Sequence, residues 1–420
     1  MALFFRWIHV CLPFVALTAA CGSLAAEEPL DVDGYVEVVL RSHPSARQTS
    51  GLQAAADAEH KAVRLFPDPV LEYSRGSGRT TEGTGLRGNE TGYAVSQTIP
   101  WPGIFTAGIR AGDRAADALR AGADAVRWEL EATARETFSR LEAARSFLDI
   151  VRLAEEDARA LRDLVARRAE LGESRESDRI KASVEWLRQR RNLAAAEREA
   201  ESAEAIARAV AVGPLPHPLA IKATPHRPLP PLDHDSLVTR VLERNPRARA
   251  ARAEAERQKA LLSVARRGRM PDLGLTAFQE NEVDREGKGL LVGIKLPLWN
   301  ANRGEVARAG AAAQVSGAEA ESVCITLVAE LEARLKELRV AAEQASLLDG
   351  DLLPAATRSV ELARFSYQEG ETSLLDLLDA QRTYRDTQRE AVEAHLGLSF
   401  ALAEVRRLVG PDFNPWGDGV

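Results

Sequence analysis

The sequence predicts a mainly α-helical fold with a small β part, and three observations lead to it. Residues 103–213 contain no proline, and apolar side chains recur there at helical spacing until Gly172 interrupts the pattern. Ala, Glu, Arg and Leu dominate from about residue 103 onward, a composition typical of long helices. Before its longest helix, each half of the chain carries two short segments that resemble the strands of a hairpin.

The chain contains two copies of one sequence unit. Gly172-Glu173-Ser174 in the first half corresponds to Gly370-Glu371-Thr372 in the second, an offset of 198 residues. The same offset relates Trp101 to Trp299. A constant offset over such a span indicates an internal two-fold repeat. Between the halves, residues 214–231 contain seven prolines and can form neither a helix nor a central strand.

Domain boundaries follow from the repeat. Each half has the same plan, which is a helix, two strands, a very long helix, a tight turn and a shorter helix. The tight turns fall at Gly172 and Gly370. The predicted units are a signal peptide at residues 1–26, a first repeat at 27–213, a proline-rich linker at 214–235, a second repeat at 236–410 and a C-terminal tail at 411–420.

The very long helix of the first half dominates the predicted shape. It has roughly 65 residues and a length on the order of 100 Å at about 1.5 Å per residue. Its partner after the turn is half as long, so we expect the preceding helix to stack end to end with that partner. The predicted helices cover residues 32–65, 103–171, 177–212, 236–267, 302–369 and 373–409.

Two β-hairpins per chain are predicted, and neither is stable alone. In a bilayer their open edges would leave backbone groups unpaired, at a cost of several kcal/mol each. Closure therefore requires further copies, and three copies would supply twelve strands, a size compatible with a membrane barrel. The predicted strands are 70–75, 92–99, 273–279 and 290–296.

The N-terminus predicts export from the cytoplasm. Arg6 precedes an apolar stretch from Trp7 to Ala20 that is typical of a secretory signal peptide and too short to span a membrane. Two cleavage sites are open: one before Cys21, which would then carry lipid, and one near Ala25 and Ala26. The remaining sequence contains no run of about 18 apolar residues, so a β-barrel is the only predicted way across a membrane.

Charge and motif content exclude several functions. The net charge is −7 and basic residues form no runs, which argues against nucleic-acid binding. No nucleophile triad, phosphate loop or Cys/His ligand spacing occurs, so we predict no enzyme activity and no cofactor. His217, His226 and His234 lie in the linker at spacings that fit no metal site, and we expect them in a solvated linker.

The stretch Tyr367-Gln368-Glu369-Gly370-Glu371-Thr372-Ser373-Leu374-Leu375-Asp376-Leu377-Leu378-Asp379-Ala380-Gln381 resembles the TolC-like outer-membrane efflux family, and the resemblance covers essentially all of the mature sequence. It implies a homotrimer in the outer membrane, with a twelve-stranded β-barrel and a trimeric α-barrel that extends into the periplasm. It further implies passive export of solutes such as metal ions or drugs as the exit duct of a tripartite pump. The partners implied are a periplasmic adaptor and an inner-membrane efflux pump such as an RND transporter.

The second tight turn carries the candidate gate. Asp376 and Asp379 are three residues apart on a helix, so their carboxylates share one face, and threefold symmetry would stack them as two acidic rings. From the residues alone, they could equally be surface carboxylates near a helix start. The resemblance places them at the constriction and assigns Tyr367 to holding the tip closed. Arg179 and Lys181 occupy the first-half positions of Leu377 and Asp379, so we expect the two tips to differ in function.

One alternative explains the long helices as well. A soluble periplasmic coiled-coil adaptor would contain them, but it would not contain hairpins at equivalent points in both halves. The segments Phe66-Pro67-Asp68-Pro69 and Arg269-Met270-Pro271-Asp272 resemble the heavy-metal branch of the efflux family.

Overall fold

The computed structural model describes residues 29–79, 85, 87–213, 215, 217–222, 227–283, 285–295 and 302–416. The signal peptide, Cys21, His226, Trp299 and the end of the C-terminal tail lie outside these ranges. The elements in chain order are α1 (Val32–Ser42), α2 (Pro44–Ala62), β1 (Val70–Arg79), β2 (Arg87–Ile99), α3 (Pro102–Glu170), α4 (Glu176–Ala211), α5 (His234–Arg244), α6 (Pro246–Arg267), β3 (Asp272–Asn281), β4 (Glu286–Lys295), α7 (Arg303–Leu347), a π-helical turn (Leu348–Leu352), α8 (Leu353–Gln368) and α9 (Leu374–Val409).

Helix α3 is the rod against which the first half packs. It has 69 residues, about 100 Å at 1.5 Å per residue. Its first part lies along α2, where Arg64 Nη1 is 2.8 Å from Asp113 Oδ1. Its second part lies along α4, where Trp186 Nε1 donates to Glu155 Oε1 at 2.7 Å. Helix α1 and the end of α4 meet beside its middle, where buried Tyr35 Oη donates to the Ala207 carbonyl at 2.8 Å.

The predicted helices 32–65 and 236–267 are each two helices, and single helices at these places were the wrong prediction. Proline at 44 and at 246 disfavours the helical region for the residue before it. His43 accordingly has ψ 141° and Asn245 has ψ 126°. Both residues cap the new helix, and each proline occupies its first turn, where the missing N–H has no cost.

The predicted helix 302–369 is interrupted by the π-helical turn Leu348–Leu352, a feature absent from α3. Pro354 has no N–H to donate one turn back, and the backbone widens just before it. The Leu353 N–H then donates to the Leu348 carbonyl, five residues earlier. None of the helices in the described parts of the chain is both long and apolar enough to cross a membrane.

The two predicted hairpins are present, and they join into one antiparallel sheet of order β1-β2-β3-β4. The pairing of β2 with β3, from Thr91↔Asn281 to Ile99↔Leu273, links the halves and was not predicted. Within one chain, β1 and β4 each keep one open edge. The predicted end of the last strand at Leu296 lies outside the described residues.

Strand alternation divides the sheet into two faces of different chemistry. One, called the apolar face, presents exposed side chains such as Tyr73, Tyr93 and Val292. The other, called the polar face, carries mostly small and polar residues, with Phe278 and Leu291 as exceptions, and a hydrogen bond of 3.0 Å between the Ser96 and Thr276 hydroxyls. Paired residues share a face, so the register fixes the apolar set as Leu71, Tyr73, Tyr93, Val95, Ile99, Leu273, Leu275, Ala277, Leu290, Val292 and Ile294.

The described linker segment around Leu219 packs onto the helices, although we expected the linker to be solvated, and the side chains of His217 and His234 are exposed. Leu219 is fully buried in a cluster with Tyr35 and Phe138. Leu30 pairs with Ile221 in a parallel bridge, so the start of the described chain is held by the linker. Apolar residues recur in the linker between its prolines, and this signal would have predicted the burial.

Candidate gate at the helical tips

Both tight turns are glycine-terminated helix ends. Gly172 has φ +78° and Gly370 has φ +77°, a conformation that favours glycine. The Glu173 N–H donates to the Arg168 carbonyl at 2.8 Å, and the Glu371 N–H donates to the Ser366 carbonyl at 2.8 Å. These six-to-one bonds define Schellman motifs, which end α3 and α8 and reverse the chain into α4 and α9.

The two tips pack against each other through a small apolar cluster. It draws on all four helices that meet there, so the two halves of the repeat share one core at this end. Its buried members are Leu161, Val165, Ala182, Tyr367, Leu374 and Leu377.

Tyr367 is buried at the centre of this contact, with 7% of its surface exposed. The guanidinium carbon of Arg168 lies 5.5 Å from its ring centroid, and Arg168 Nη2 donates to the Gln368 carbonyl at 3.2 Å. Burial raises the pKa of the Tyr367 hydroxyl, against the opposing charge of Arg168. Arg168 therefore ties the end of α3 to the end of α8, a role that no sequence motif indicated.

Asp376 is exposed and caps its own helix. Its carboxylate accepts from the Ser373 hydroxyl at 2.7 Å and from the Ser373 N–H at 3.1 Å, while the Asp376 N–H donates to Ser373 Oγ at 3.3 Å. This is a capping box. The Ser373 hydrogen bonds lower the pKa of Asp376, so the carboxylate stays charged at neutral pH.

Asp379 is also exposed, and it forms no ion pair with another described residue. The two acids therefore differ: Asp376 stabilises the start of α9, whereas Asp379 projects a carboxylate from the same helix with no local partner. Their arrangement as stacked rings concerns an assembly of chains and stays a prediction.

The first-half tip has the opposite character. Glu176 is paired with Arg179, and Lys181 Nζ lies 3.3 Å from Asp178 Oδ1. Asp178 corresponds to Asp376 and is neutralised by Lys181, which itself occupies the position of Asp379. If both tips line a pore at this level, the negative charge in the pore comes from the acids of the second tip.

Two further ion pairs join the halves above the tips, and sequence reasoning missed both. Arg385 Nη2 on α9 is 2.9 Å from Glu185 Oε1 on α4, and the Glu185 side chain is almost fully buried. Arg364 Nη2 on α8 is 2.6 Å from Asp157 Oδ2 on α3. Because partners lie about 200 residues apart in sequence, no local spacing could have revealed them.

The two linker histidines that the structure describes contact different carboxylates. His217 Nδ1 lies 3.0 Å from Glu204 Oε1, and His234 Nδ1 lies 3.3 Å from its neighbour Asp235. Within the described ranges, no three His, Cys, Asp or Glu side chains are placed to hold a metal ion.

This architecture matches known proteins. The cobalt-zinc-cadmium resistance protein CzcC of Cupriavidus metallidurans is 28% identical over 331 residues, which is 76% of each chain. Residues 237–411 match the family described as outer membrane efflux protein. The similarity to this family therefore covers most of the second half of the chain.

Solved structures show that this chain has the fold of outer-membrane channels. A structure of CusC, described in terms of transmembrane channel formation, superposes with a TM-score of 0.76 at 18% identity and covers 91% of this chain and 93% of CusC. The outer-membrane channel OprN gives a TM-score of 0.75 at 20% identity, with 90% and 89% covered. The predicted fold class is confirmed, and the alternative of a soluble adaptor is not favoured.

Proposed function

We propose that this protein is the outer-membrane exit duct for metal cations in a tripartite pump. The single observation that carries the proposal is the sheet: one face is apolar and exposed, and both edges are open, at one end of a helical rod on the order of 100 Å long. Three chains would close these edges as twelve strands, with the apolar face towards lipid and the polar face lining the passage.

Charges on the sheet support a cationic cargo. In the described strands, Glu72, Glu90, Asp272 and Glu280 all lie on the polar face, and Glu286 alone among the strand acids lies on the apolar face. A water-filled passage lined by carboxylates attracts cations and repels anions. The similarity to CzcC, a cobalt-zinc-cadmium resistance protein, points to the same class of solute.

The assembly proposed is a homotrimer that receives its cargo from an inner-membrane pump, such as an RND transporter, through a periplasmic adaptor. The long helices would carry the passage from the sheet to the tips. The tips then face the adaptor, because they lie at the end of α3 opposite to the strands.

Deletion of the gene tests the cargo. We expect the deletion strain to become more sensitive to divalent metals such as cobalt, zinc and cadmium, and to show unchanged sensitivity to neutral and anionic dyes. Minimum inhibitory concentrations over a panel of metals, drugs and dyes are the measurement. Sensitisation to dyes with no change for metals would contradict a metal duct while leaving the channel fold intact.

The gate is proposed at Asp376, Asp379 and Tyr367, with Gly172 and Gly370 shaping the turns. The double variant Asp376→Asn/Asp379→Asn removes two charges per chain, and Asn at 376 keeps an acceptor for the cap. We expect higher single-channel conductance in planar bilayers and weaker block by multivalent cations added from the tip side. Asp178→Asn, in the neutralised tip, is the matched control and should change neither quantity.

An unchanged conductance and an unchanged block in the double variant would contradict the gate. The single variants separate the two acids. Because Asp376 is bound by Ser373 and Asp379 is not, Asp379→Asn is expected to account for most of the change in cation block.

A further inference from the structure

Four of the five basic residues in the strands lie on one face of the sheet, and the fifth, Lys295, is the register partner of Asp272 on the polar face. The four lie on the apolar face, at or beyond the level of its tyrosine pair, and they are called the basic collar. None of the four forms an ion pair with another described residue, whereas Arg285 in the adjacent turn pairs with Glu282 at 2.7 Å. The collar consists of Arg75, Arg79, Arg87 and Lys288.

The strand register gives the height of the collar. Tyr73 and Tyr93 are cross-strand partners with ring centroids 5.1 Å apart, and Lys288 lies in the same row across the sheet. Tyrosine on a lipid-facing strand marks the boundary between hydrocarbon and headgroups. At about 3.4 Å per residue, Arg75 lies roughly 7 Å beyond this boundary along the strand, and Arg79 about 20 Å.

The opposite boundary lies where the sheet meets the helices. Phe66 and Phe105 stack with centroids 5.0 Å apart, and Trp101 is exposed beside the end of β2. From Trp101 to Tyr93 the strand runs about 27 Å, or about 20 Å of height at a tilt of about 40°. The collar is therefore at the end of the sheet far from the helices, which is the outer leaflet.

Arg79 and Arg87 are direct cross-strand partners on this face. Two like charges directly opposite each other destabilise a hairpin unless an anion lies between them. Arginine binds phosphate well, because its guanidinium group can donate two parallel hydrogen bonds to two phosphate oxygens. The two arginines are exposed, they form no ion pair with a described residue, and they adjoin the apolar face. These three observations favour an anion carried by a lipid.

We propose that the basic collar binds the phosphate groups of the outer-leaflet glycolipid and so fixes the depth of the channel in the membrane. The acyl chains of the same lipid would cover the apolar face below, so one molecule satisfies both surfaces. The acid on this face, Glu286, lies in the row of Arg75 but on the far strand of the sheet. This lipid contact is independent of the solute that the channel carries.

The test uses the full-length trimer in detergent, titrated with bisphosphorylated lipid A and with the same lipid A after removal of its phosphates. Binding is measured by native mass spectrometry. We expect the phosphorylated form to bind more tightly to the wild type. Arg79→Gln/Arg87→Gln should weaken it about 25-fold, since each basic side chain near an anionic surface contributes about fivefold.

Arg198→Gln/Arg358→Gln removes the same charge from exposed positions on the helices and should leave lipid binding unchanged. Equal affinity of the wild type for both forms of lipid A would overturn the proposal without any variant, as would full competition by inorganic phosphate at the same phosphate concentration. Equal binding by the collar variant and the wild type would overturn it as well. If the double variant does not form trimers, Arg75→Gln tests the same contact farther from the end of the hairpin.

Discussion

Val292→Arg is expected to abolish insertion of the channel into the outer membrane. Val292 lies near the middle of the apolar face and is 57% exposed in the single chain. Arginine on the lipid face of a membrane strand costs about 2–4 kcal/mol near the midplane, and the trimer would contain three copies. The measurement is the amount of heat-labile trimer in the outer-membrane fraction.

Leu291→Arg is the matched control, because Leu291 is adjacent, equally exposed at 58% and on the polar face. A charge there would meet water in the passage, so assembly should proceed and only the ion preference of the channel should shift. If both variants insert normally, or if Leu291→Arg is the defective one, the assignment of the two faces is wrong.

Glu204→Gln is expected to lower the free energy of unfolding by about 2–3 kcal/mol, through loss of a charged hydrogen-bond centre. The Glu204 side chain is 12% exposed. Its carboxylate accepts from Arg145 Nη2 at 2.8 Å, from Arg208 Nη2 at 3.0 Å and from the Leu219 N–H at 3.1 Å. It therefore joins α3, α4 and the linker.

The same hydrogen-bond centre predicts that the free energy of unfolding falls in acid. Burial alone would raise the pKa of Glu204, but the hydrogen bonds from His217, Leu219, Arg145 and Arg208 outweigh it and lower the pKa from 4.5 to about 2. A lowered folded pKa gives stability that is fully present above pH 4.5 and is lost as the pH falls towards 2. Thermal unfolding followed by helical circular dichroism should show this loss in the wild type and a smaller one in Glu204→Gln.

Glu201→Gln, on the exposed side of the same helix, should unfold like the wild type at every pH. A wild-type acid dependence that Glu204→Gln reproduces in full would mean that other carboxylates dominate, and the assigned role of Glu204 would be wrong.

Features that repeat at a regular spacing in the sequence were predictable. Contacts between residues that are distant in sequence were not. The proline-free stretch fixed α3 closely, since helix propagation is local and Gly172 stops it through its φ angle. The breaks at Pro44, Pro246 and Pro354 were missed because apolar spacing continued through them. A stricter use of the rule that the residue before a proline leaves the helical region would have found the first two.

The residues of the candidate gate fall into the same two groups, predictable and not predictable. Asp376, Asp379 and the turn glycines were accessible from spacing and from the family resemblance. Arg168, Glu185 and Arg385 were not, because they come together only when α3, α4, α8 and α9 pack at the tips. Long, charged helices contain many arginines, and only the packing selects which of them bridge the halves.

The pairing of β2 with β3 has a consequence for how the chain matures. Ile99 and Leu273 are neighbours in the sheet but are separated in sequence by the whole of α3 to α6. Helices nucleate locally and early, whereas contacts between such distant segments form slowly because a long loop must close first. During secretion the two strands of the first hairpin therefore emerge well before β3, the strand that pairs with β2. An exported intermediate with helices formed and strand edges exposed is expected, and such edges are the surfaces that periplasmic chaperones would have to protect from aggregation.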